Sequence, residues 1–379
     1  MRAAVIGAGY SGLMLSRALA RVGANVDLYE EHDRVGFPEH CTGLVSSLTV
    51  RLIGPPAEGS RLGEIGSFVI SGPTSSVRLR PSEPVVKLDR VRLEEMLLDD
   101  AVREGVKYYS ESRVRVSPAG EVLPSGRRYD VVVLAEGYLG RLRRALGVGF
   151  AGPPVYGVNA EVDDRGNPDF VARFDGETSY GFFSWRVTLG SYSIVGTASK
   201  DPRLLGRLLK SSLERHNVEG RPFKVYGGPI IVGPPPRSVA VGRVVVVGDA
   251  AAMNKPLTGG GLYPTALASH ALEVMAANGL APEEAVRRSV LLALREVSRS
   301  YHVSRVLHDR PALVDALAAA ASRYGIADDL SGSIDYDRHY LLLRRSISMT
   351  KAVPASLQVL VQDPYGAARL LASLLEDML

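Results

Sequence analysis

The stretch "AAVIGAGYSGLMLSRALARVGANVDLYEE", residues 3–31, constrains the fold more than any other part of the chain. Val5 and Ile6 close an apolar strand. Gly7, Gly9 and Gly12 follow at G-x-G-x-x-G spacing, Leu13, Leu15, Leu19 and Val22 mark the inner face of a helix, and "NVDLYE" is a second strand ending on an acid. Each residue type has a physical task. Gly7 permits a tight turn, Gly9 lets the backbone approach a pyrophosphate, and Gly12 lets helix and strand pack closely. The helix N-terminus, with Ala8 and Ser11 in its turn, faces the phosphates, and Glu30 accepts from ribose hydroxyls. The spacing predicts a βαβ dinucleotide-binding unit, an α/β Rossmann-like fold.

The remaining composition narrows the possibilities. With 379 residues, 46% of them hydrophobic and 23% charged, the chain is long enough for about two or three structural units. The formal net charge is +4, but arginines and acids are interleaved and form no basic tract, so nucleic acid is not an expected partner. Cys41 is the only cysteine, which excludes an intrachain disulfide and a cysteine-based zinc or iron–sulfur site. The seven histidines show no ligand spacing, and His302 and His308 stand six apart, so no metal is expected. The chain opens on an apolar strand with no room for a signal peptide, and runs such as "VVVV" at 244–247 fall far short of the ~20 residues a spanning helix needs. A cytoplasmic protein is expected, with peripheral membrane contact left open.

Beyond the first unit the periodicities predict a discontinuous nucleotide-binding domain, 1–62, 85–150 and 241–281, interrupted by a β-rich substrate domain, 63–84 and 151–240, and followed by a helical region, 282–379. "SFVISG" and "SVRLRP" suit a hairpin. "VVKLDRVRLEEMLLDDAVREG" reads as a strand running into a helix, "RYDVVVLAEG" as a buried parallel strand, and "VYGVNAEV", "YGFFSWRV" and "SYSIVGTA" as an antiparallel sheet.

A second glycine-rich strand-to-helix junction, "VVVVGDAAAMNKPLTGGGLYPTAL", identifies the dinucleotide as FAD, because a nicotinamide dehydrogenase has no need of it. Gly248 and Asp249 reach the ribityl chain, and Pro256, Gly259, Gly260, Gly261 and Leu262 thread past the flavin ring. A helix starting near Pro264 aims its positive end at the flavin, stabilising a reduced, anionic ring by about 0.3–1 kcal/mol.

At this point the chain resembles the FAD-dependent geranylgeranyl reductase family, within the p-hydroxybenzoate hydroxylase-like flavoprotein fold. The resemblance rests on "GAGYSG", "PEHCTG" at 38–43, "KLDRVRLEEML" at 87–97, "AEGYLGRLR" at 135–143 and "GDAAAMNKPLTGGGLY" at 248–263, and it spans most of the first 270 residues. It implies reduction of the isoprenoid double bonds of prenyl lipids or prenyl diphosphates by hydride from reduced FAD, with an external electron donor, NAD(P)H or ferredoxin. It also implies that Arg90, Glu136 and Gly137 touch the cofactor, although relatives have Asp-Gly where this chain has Glu136 and Gly137. A Y-x-W-x-F-P stretch is replaced here by "YGFFSWRV", whose Tyr180, Phe183 and Trp185 suit an isoprenoid tunnel and equally suit plain sheet core.

For Cys41 two readings stand: a small buried hydrophobe, or a thiol beside the flavin that gives a proton to the carbon opposite the hydride, with His40 as competitor. For Arg90 the alternative is a surface ion pair with Asp89 or Glu94. Three adjacent glycines at 259–261 lose much conformational freedom unless something must come close. Two rival functions remain: a flavin monooxygenase or halogenase of the same fold, disfavoured by Ala252, Leu262 and Tyr263 at its motif positions, and a flavin- or lipid-binding protein without turnover.

Overall fold

The computed structural model describes residues 1–149, 152–347 and 351–378, so the expected domain boundary at 150 and 151 and the final residue, 379, lie outside the described residues. A six-stranded sheet runs in the order Ala240–Val241, Val244–Val246, Val131–Leu134, Arg2–Ile6, Asn25–Tyr29, Lys107–Tyr109. Its strands are parallel except Ala240–Val241, which closes one edge antiparallel. The three inner valine-rich strands are buried almost throughout, as strands covered on both faces must be.

Register positions the site. Ile6 stands opposite both Leu134 and Tyr29, and Leu134 stands opposite Val246. These strands therefore end at one level, and the loops that begin at Gly7, Ala135 and Val247 leave the sheet side by side. Helices Tyr10–Arg21, Arg90–Arg103 and Leu262–Ala277 pack over it. The second of these starts where the sequence says it should, because the Asp89 carboxylate accepts from the Arg92 N–H at 3.0 Å.

A seven-stranded sheet runs Pro222–Ile230, Val155–Val162, Ser193–Ser199, Ser184–Thr188, Asp169–Arg173, Phe68–Ser71, Ser76–Leu79. It is antiparallel except where Asp169–Arg173 runs parallel to Phe68–Ser71. A small sheet of Leu44–Ser46, Val85–Leu88 and Arg61–Ile65 stands between the two hydrophobic cores. Val85 belongs to the core of the large antiparallel sheet, and Val86 and Leu88 belong to that of the parallel one.

The helical region does not behave as one unit. Pro282–Ser298 sends Ala285, Val286, Val290 and Leu294 into the parallel-sheet core, whereas Tyr301–Asp309 and Pro311–Arg323 send Val306, Leu313 and Val314 into the other. Among the described residues no helix is long and apolar enough to cross a membrane.

Candidate functional site

Where the loop after the first strand meets the helix Tyr10–Arg21, the helix begins without a side-chain cap and without an acid in its first turn. A Cβ on Gly9 would meet nothing within 4 Å, whereas one on Gly12 would lie 1.8 Å from the Gly7 carbonyl oxygen. An open, positively polarised helix end is thus set beside a tightly packed turn, which suits a phosphate group. Glu30 is buried beside it. One carboxylate oxygen accepts from the Ala8 N–H at 2.6 Å, and the other accepts from the His32 N–H at 3.0 Å and lies 2.5 Å from His32 Nδ1.

The two glycine motifs meet through their helices. Tyr10 donates its hydroxyl to the Leu262 carbonyl at 3.1 Å, Ser11 Oγ and Thr265 Oγ1 are 3.0 Å apart, and a Cβ on Gly248 would sit 2.5 Å from Ser11 Oγ. The helix expected near Pro264 begins at Leu262. The Glu136 carboxylate accepts from the N–H groups of Leu142 and Arg143 at 2.8 and 2.6 Å and so caps the short helix Arg141–Ala145. Burial raises its pKa, against the opposing pull of those two N–H groups. Gly137 is open, with a φ of 67°.

Each of the three adjacent glycines faces a different wall. A Cβ on Gly259 would meet Ile230 Cγ2 at 2.1 Å, one on Gly260 would meet Lys255 Cε at 2.8 Å, and one on Gly261 would meet Asn254 Oδ1 at 2.4 Å. Asn254 Nδ2 donates to Asp249 at 3.0 Å, and Pro256 is buried in the same loop. Among the described residues the buried oxygens Asn254 Oδ1 and Thr258 Oγ1 have no hydrogen-bond partner. They supply unused polar capacity beside the glycines.

Sequence reasoning passed over what anchors this loop. The Lys255 ammonium is buried against the Asp337 carboxylate, which also accepts from the Ser46 N–H at 2.8 Å and from Thr49 Oγ1 at 2.5 Å. Lys255 Nζ also lies 4.7 Å from the Tyr336 ring centre. Burial works to raise the Asp337 pKa, but Lys255 and the bonds from Thr49 and Ser46 outweigh it and hold the carboxyl below its ordinary range. A lysine beside a glycine loop was a visible signal. Its partner, 82 residues on, was not.

Cys41 is half-buried, with the Gly43 N–H 3.4 Å from its sulfur. Four groups, three on separate elements and one in the loop before His339, lie within its electrostatic reach: Lys87, Arg90, Tyr226 and Tyr336. Lys87 is buried and donates to the Leu88 carbonyl at 2.8 Å; desolvation lowers its pKa, and Cys41 opposes that fall. Arg90 pairs with Glu94 in the interior and not at the surface, and also stands 5.4 Å from the Tyr10 ring centre, which joins the cysteine loop to the first glycine motif. His40 bonds the Pro38 carbonyl at 2.9 Å and is exposed.

The aromatic residues divide. Tyr180 is 53% exposed. Trp185 is buried, its indole N–H donating to Asn159 Oδ1 at 3.0 Å, and its ring fills the space above Gly196. Phe183 stacks between Phe182 and Phe174, at 4.5 and 5.2 Å. Phe182, which sequence reasoning missed, is the aromatic nearest the loop: its Cζ lies 3.9 Å from a Cβ built on Gly259. His308 lies 4.6 Å from Phe182 and bonds the Leu257 carbonyl through Nε2 at 2.9 Å. Burial pushes its pKa down to about 4, so the ring is neutral at pH 7 and Nε2 carries the proton it donates. Among the described residues, no group of three or more histidine, cysteine, aspartate or glutamate side chains could hold a metal ion.

Two outcomes follow from the buried charges. Asp337→Asn strands the Lys255 ammonium in the interior and should lower the unfolding free energy by about 3–5 kcal/mol, whereas Lys255→Met/Asp337→Leu should recover most of that loss in denaturant titrations. His308, depressed from about 6.5 in the unfolded chain to about 4 in the fold, contributes stability that is present above pH 6.5 and lost as pH falls toward 4. His308→Gln keeps a donor for Leu257 and should flatten the fall of the melting temperature across that window.

Residues 5–41 match the family model of the NAD(P)-binding Rossmann-like domain. The digeranylgeranylglycerophospholipid reductase of Methanothrix thermoacetophila is 28% identical over an alignment of 292 residues that covers 68% of this chain and 73% of that protein. The crystal structure of a geranylgeranyl bacteriochlorophyll reductase-like protein from Thermoplasma acidophilum has a TM-score of 0.71 at 17% identity and covers 98% of each chain. A flavin-dependent brominase has a TM-score of 0.67 at 13% identity, covering 92% of this chain and 98% of its own, and at such identities the likeness speaks for the fold alone. With two glycine motifs joined across one sheet edge and a P-x-x-C-x-G loop beside them, the chain is an oxidoreductase of Rossmann-like fold that is similar to the digeranylgeranylglycerophospholipid reductases.

Proposed function

We propose that the protein binds FAD across the strand ends of the parallel sheet and, supplied with electrons by NAD(P)H or a ferredoxin, reduces isoprenoid double bonds of a prenyl lipid or prenyl diphosphate. In this reading the parallel-sheet unit holds the cofactor and the antiparallel sheet covers the substrate. The cofactor fit is supported by the uncapped helix end at Gly9, the Glu30 carboxylate and the unpartnered Asn254 and Thr258 oxygens beside Gly260 and Gly261. Reduced FAD, when bound, supplies a hydride.

The observation that carries the reading is the half-buried Cys41 in a loop packed on Arg90, whose Cγ would lie 3.3 Å from a Cβ on Gly43. Hydride addition to one alkene carbon leaves the other in need of a proton, and the Cys41 thiol holds one in a half-buried position. The Phe174, Phe182 and Phe183 rings, with Ile230, keep water from the glycine loop, so that the proton comes from the protein. The resemblance to a digeranylgeranylglycerophospholipid reductase supports a lipid of that class as substrate.

Cys41→Ala should keep FAD bound and reducible yet slow single-turnover oxidation of the reduced flavin by a geranylgeranyl lipid by about 100- to 10,000-fold, with Cys41→Ser intermediate. Equal rates for wild type and Cys41→Ala would leave the cysteine only a packing role. Faster oxidation by oxygen than by the lipid, with hydroxylated or halogenated product, would favour the monooxygenase or halogenase reading. Gly9→Val should give a folded but colourless protein, because its side chain enters open space needed by the pyrophosphate, whereas Gly12→Ala should cost the fold itself about 1–3 kcal/mol. Flavin absorbance and thermal unfolding separate the two.

A further inference from the structure

Lys87 is a buried cation that no carboxylate among the described residues is placed to neutralise. It lies in the middle strand of the small sheet, Val85–Leu88, and is only 6% exposed. Its ammonium donates to the Leu88 carbonyl at 2.8 Å, and an ammonium has two further N–H groups to place. Among the described residues no carboxylate oxygen lies within 4.0 Å of it, whereas Lys255, the other buried lysine, pairs with Asp337. The acids that act on it from farther away are engaged elsewhere: Asp89 caps the helix Arg90–Arg103, and Glu161 lies 3.6 Å from Lys224. Desolvation lowers the Lys87 pKa, and Cys41, Asp89 and Glu161 oppose that fall without cancelling it. An unpaired ammonium is costly to bury, so a lysine at this place fits an anion that comes from outside the protein.

Register sets where the charge points. Lys87 stands opposite Leu44 on one side and Gly63 on the other, and directly opposed residues of antiparallel strands share a face. Val85, two residues earlier on that face, belongs to the core of the large antiparallel sheet, and Leu44 packs against the same core. The Lys87 side chain is therefore directed into the seam between the small sheet and the large one. Gly63 leaves room beside it, since a Cβ there would meet only Leu189 Cδ2, at 3.7 Å. Tyr192 and Tyr226 share Glu161 with Lys87 as an electrostatic neighbour, and Cys41 acts on both Lys87 and Tyr226. An ammonium and phenol hydroxyls are donors suited to the oxygens of a phosphate, and they stand next to the cysteine loop.

We propose that Lys87 anchors a phosphate group in this seam, and that the phosphate is that of the prenyl substrate. The second half rests on the reading of a prenyl lipid or prenyl diphosphate as substrate, and it adds which part of that molecule is recognised by charge. Binding is measured by calorimetry on the oxidised holoprotein without an electron donor, so the result does not depend on turnover. The probes are geranylgeranyl diphosphate, digeranylgeranylglyceryl phosphate, inorganic pyrophosphate, and geranylgeraniol, which has a prenyl chain and no phosphate. Lys87→Met should weaken binding of pyrophosphate and of at least one prenyl phosphate by about 10- to 100-fold, and leave that of geranylgeraniol within about twofold. Which prenyl phosphate loses affinity tells a diphosphate from a glycerolipid phosphate. Lys87→Met should also keep the flavin absorbance and melt no lower than wild type without ligand, because it removes an unpaired buried charge. Lys87→Arg, which keeps the charge, should bind the phosphate probes more tightly than Lys87→Met does. Pyrophosphate that binds through Lys87 while no prenyl probe binds would sink the proposed substrate and uphold the phosphate site. Equal affinity of wild type and Lys87→Met for every phosphate probe, an equal loss for geranylgeraniol, or a ligand-free Lys87→Met that melts lower than wild type would each overturn the proposal.

Discussion

The site depends on how closely the backbone leaving the first strand approaches the backbone leaving the middle one. A Cβ on Gly7 would sit 2.4 Å from the Ala135 carbonyl oxygen, so no side chain fits between the two loops. The parallel register that ends Arg2–Ile6 and Val131–Leu134 at one level enforces this approach, and Gly7 meets it with a φ of 99° that other residues rarely adopt. The open helix end, the buried Glu30 and the junction to Leu262 and Thr265 all inherit their positions from that contact.

The other end of the site is fixed by charge. Burying Lys255 and Asp337 has a large desolvation cost, which the pair offsets through mutual attraction and the bonds from Ser46 and Thr49. Those bonds tie three distant parts of the chain together: the glycine loop, the start of the helix Ser47–Ile53 and the segment before His339. His308 adds a second fastening, from a helix of the C-terminal region to the Leu257 carbonyl. The region that reads from sequence as a helical tail therefore helps to shape the glycine loop.

Cys41 gains its meaning from the same convergence. In sequence it is a lone thiol in a broken segment. In the fold it faces Lys87 on a small-sheet strand, Arg90 on a helix, Tyr226 on the large sheet and Tyr336 in the C-terminal region. Lys87 is buried at a desolvation cost that lowers its pKa, a fall that Cys41 and Asp89 oppose.

The sequence by itself determined the elements whose cause is local. Glycine spacing and valine runs specify the βαβ unit, alternation specifies the strands at 155–162 and 193–199, and Asp89 starts its helix, because period and capping act within a few residues. The tertiary structure alone decided which residues meet. Asp337 beneath Lys255, His308 behind Leu257 and Phe182 against Gly259 are joined across large separations that no periodicity encodes. It also turned Glu136 to capping a helix, which the Glu-Gly pair does not reveal, and divided the final helices between two cores. Local patterns fix what a segment becomes, while partners far along the chain are fixed by the packing of whole sheets and helices, where burial and charge pairing are settled together.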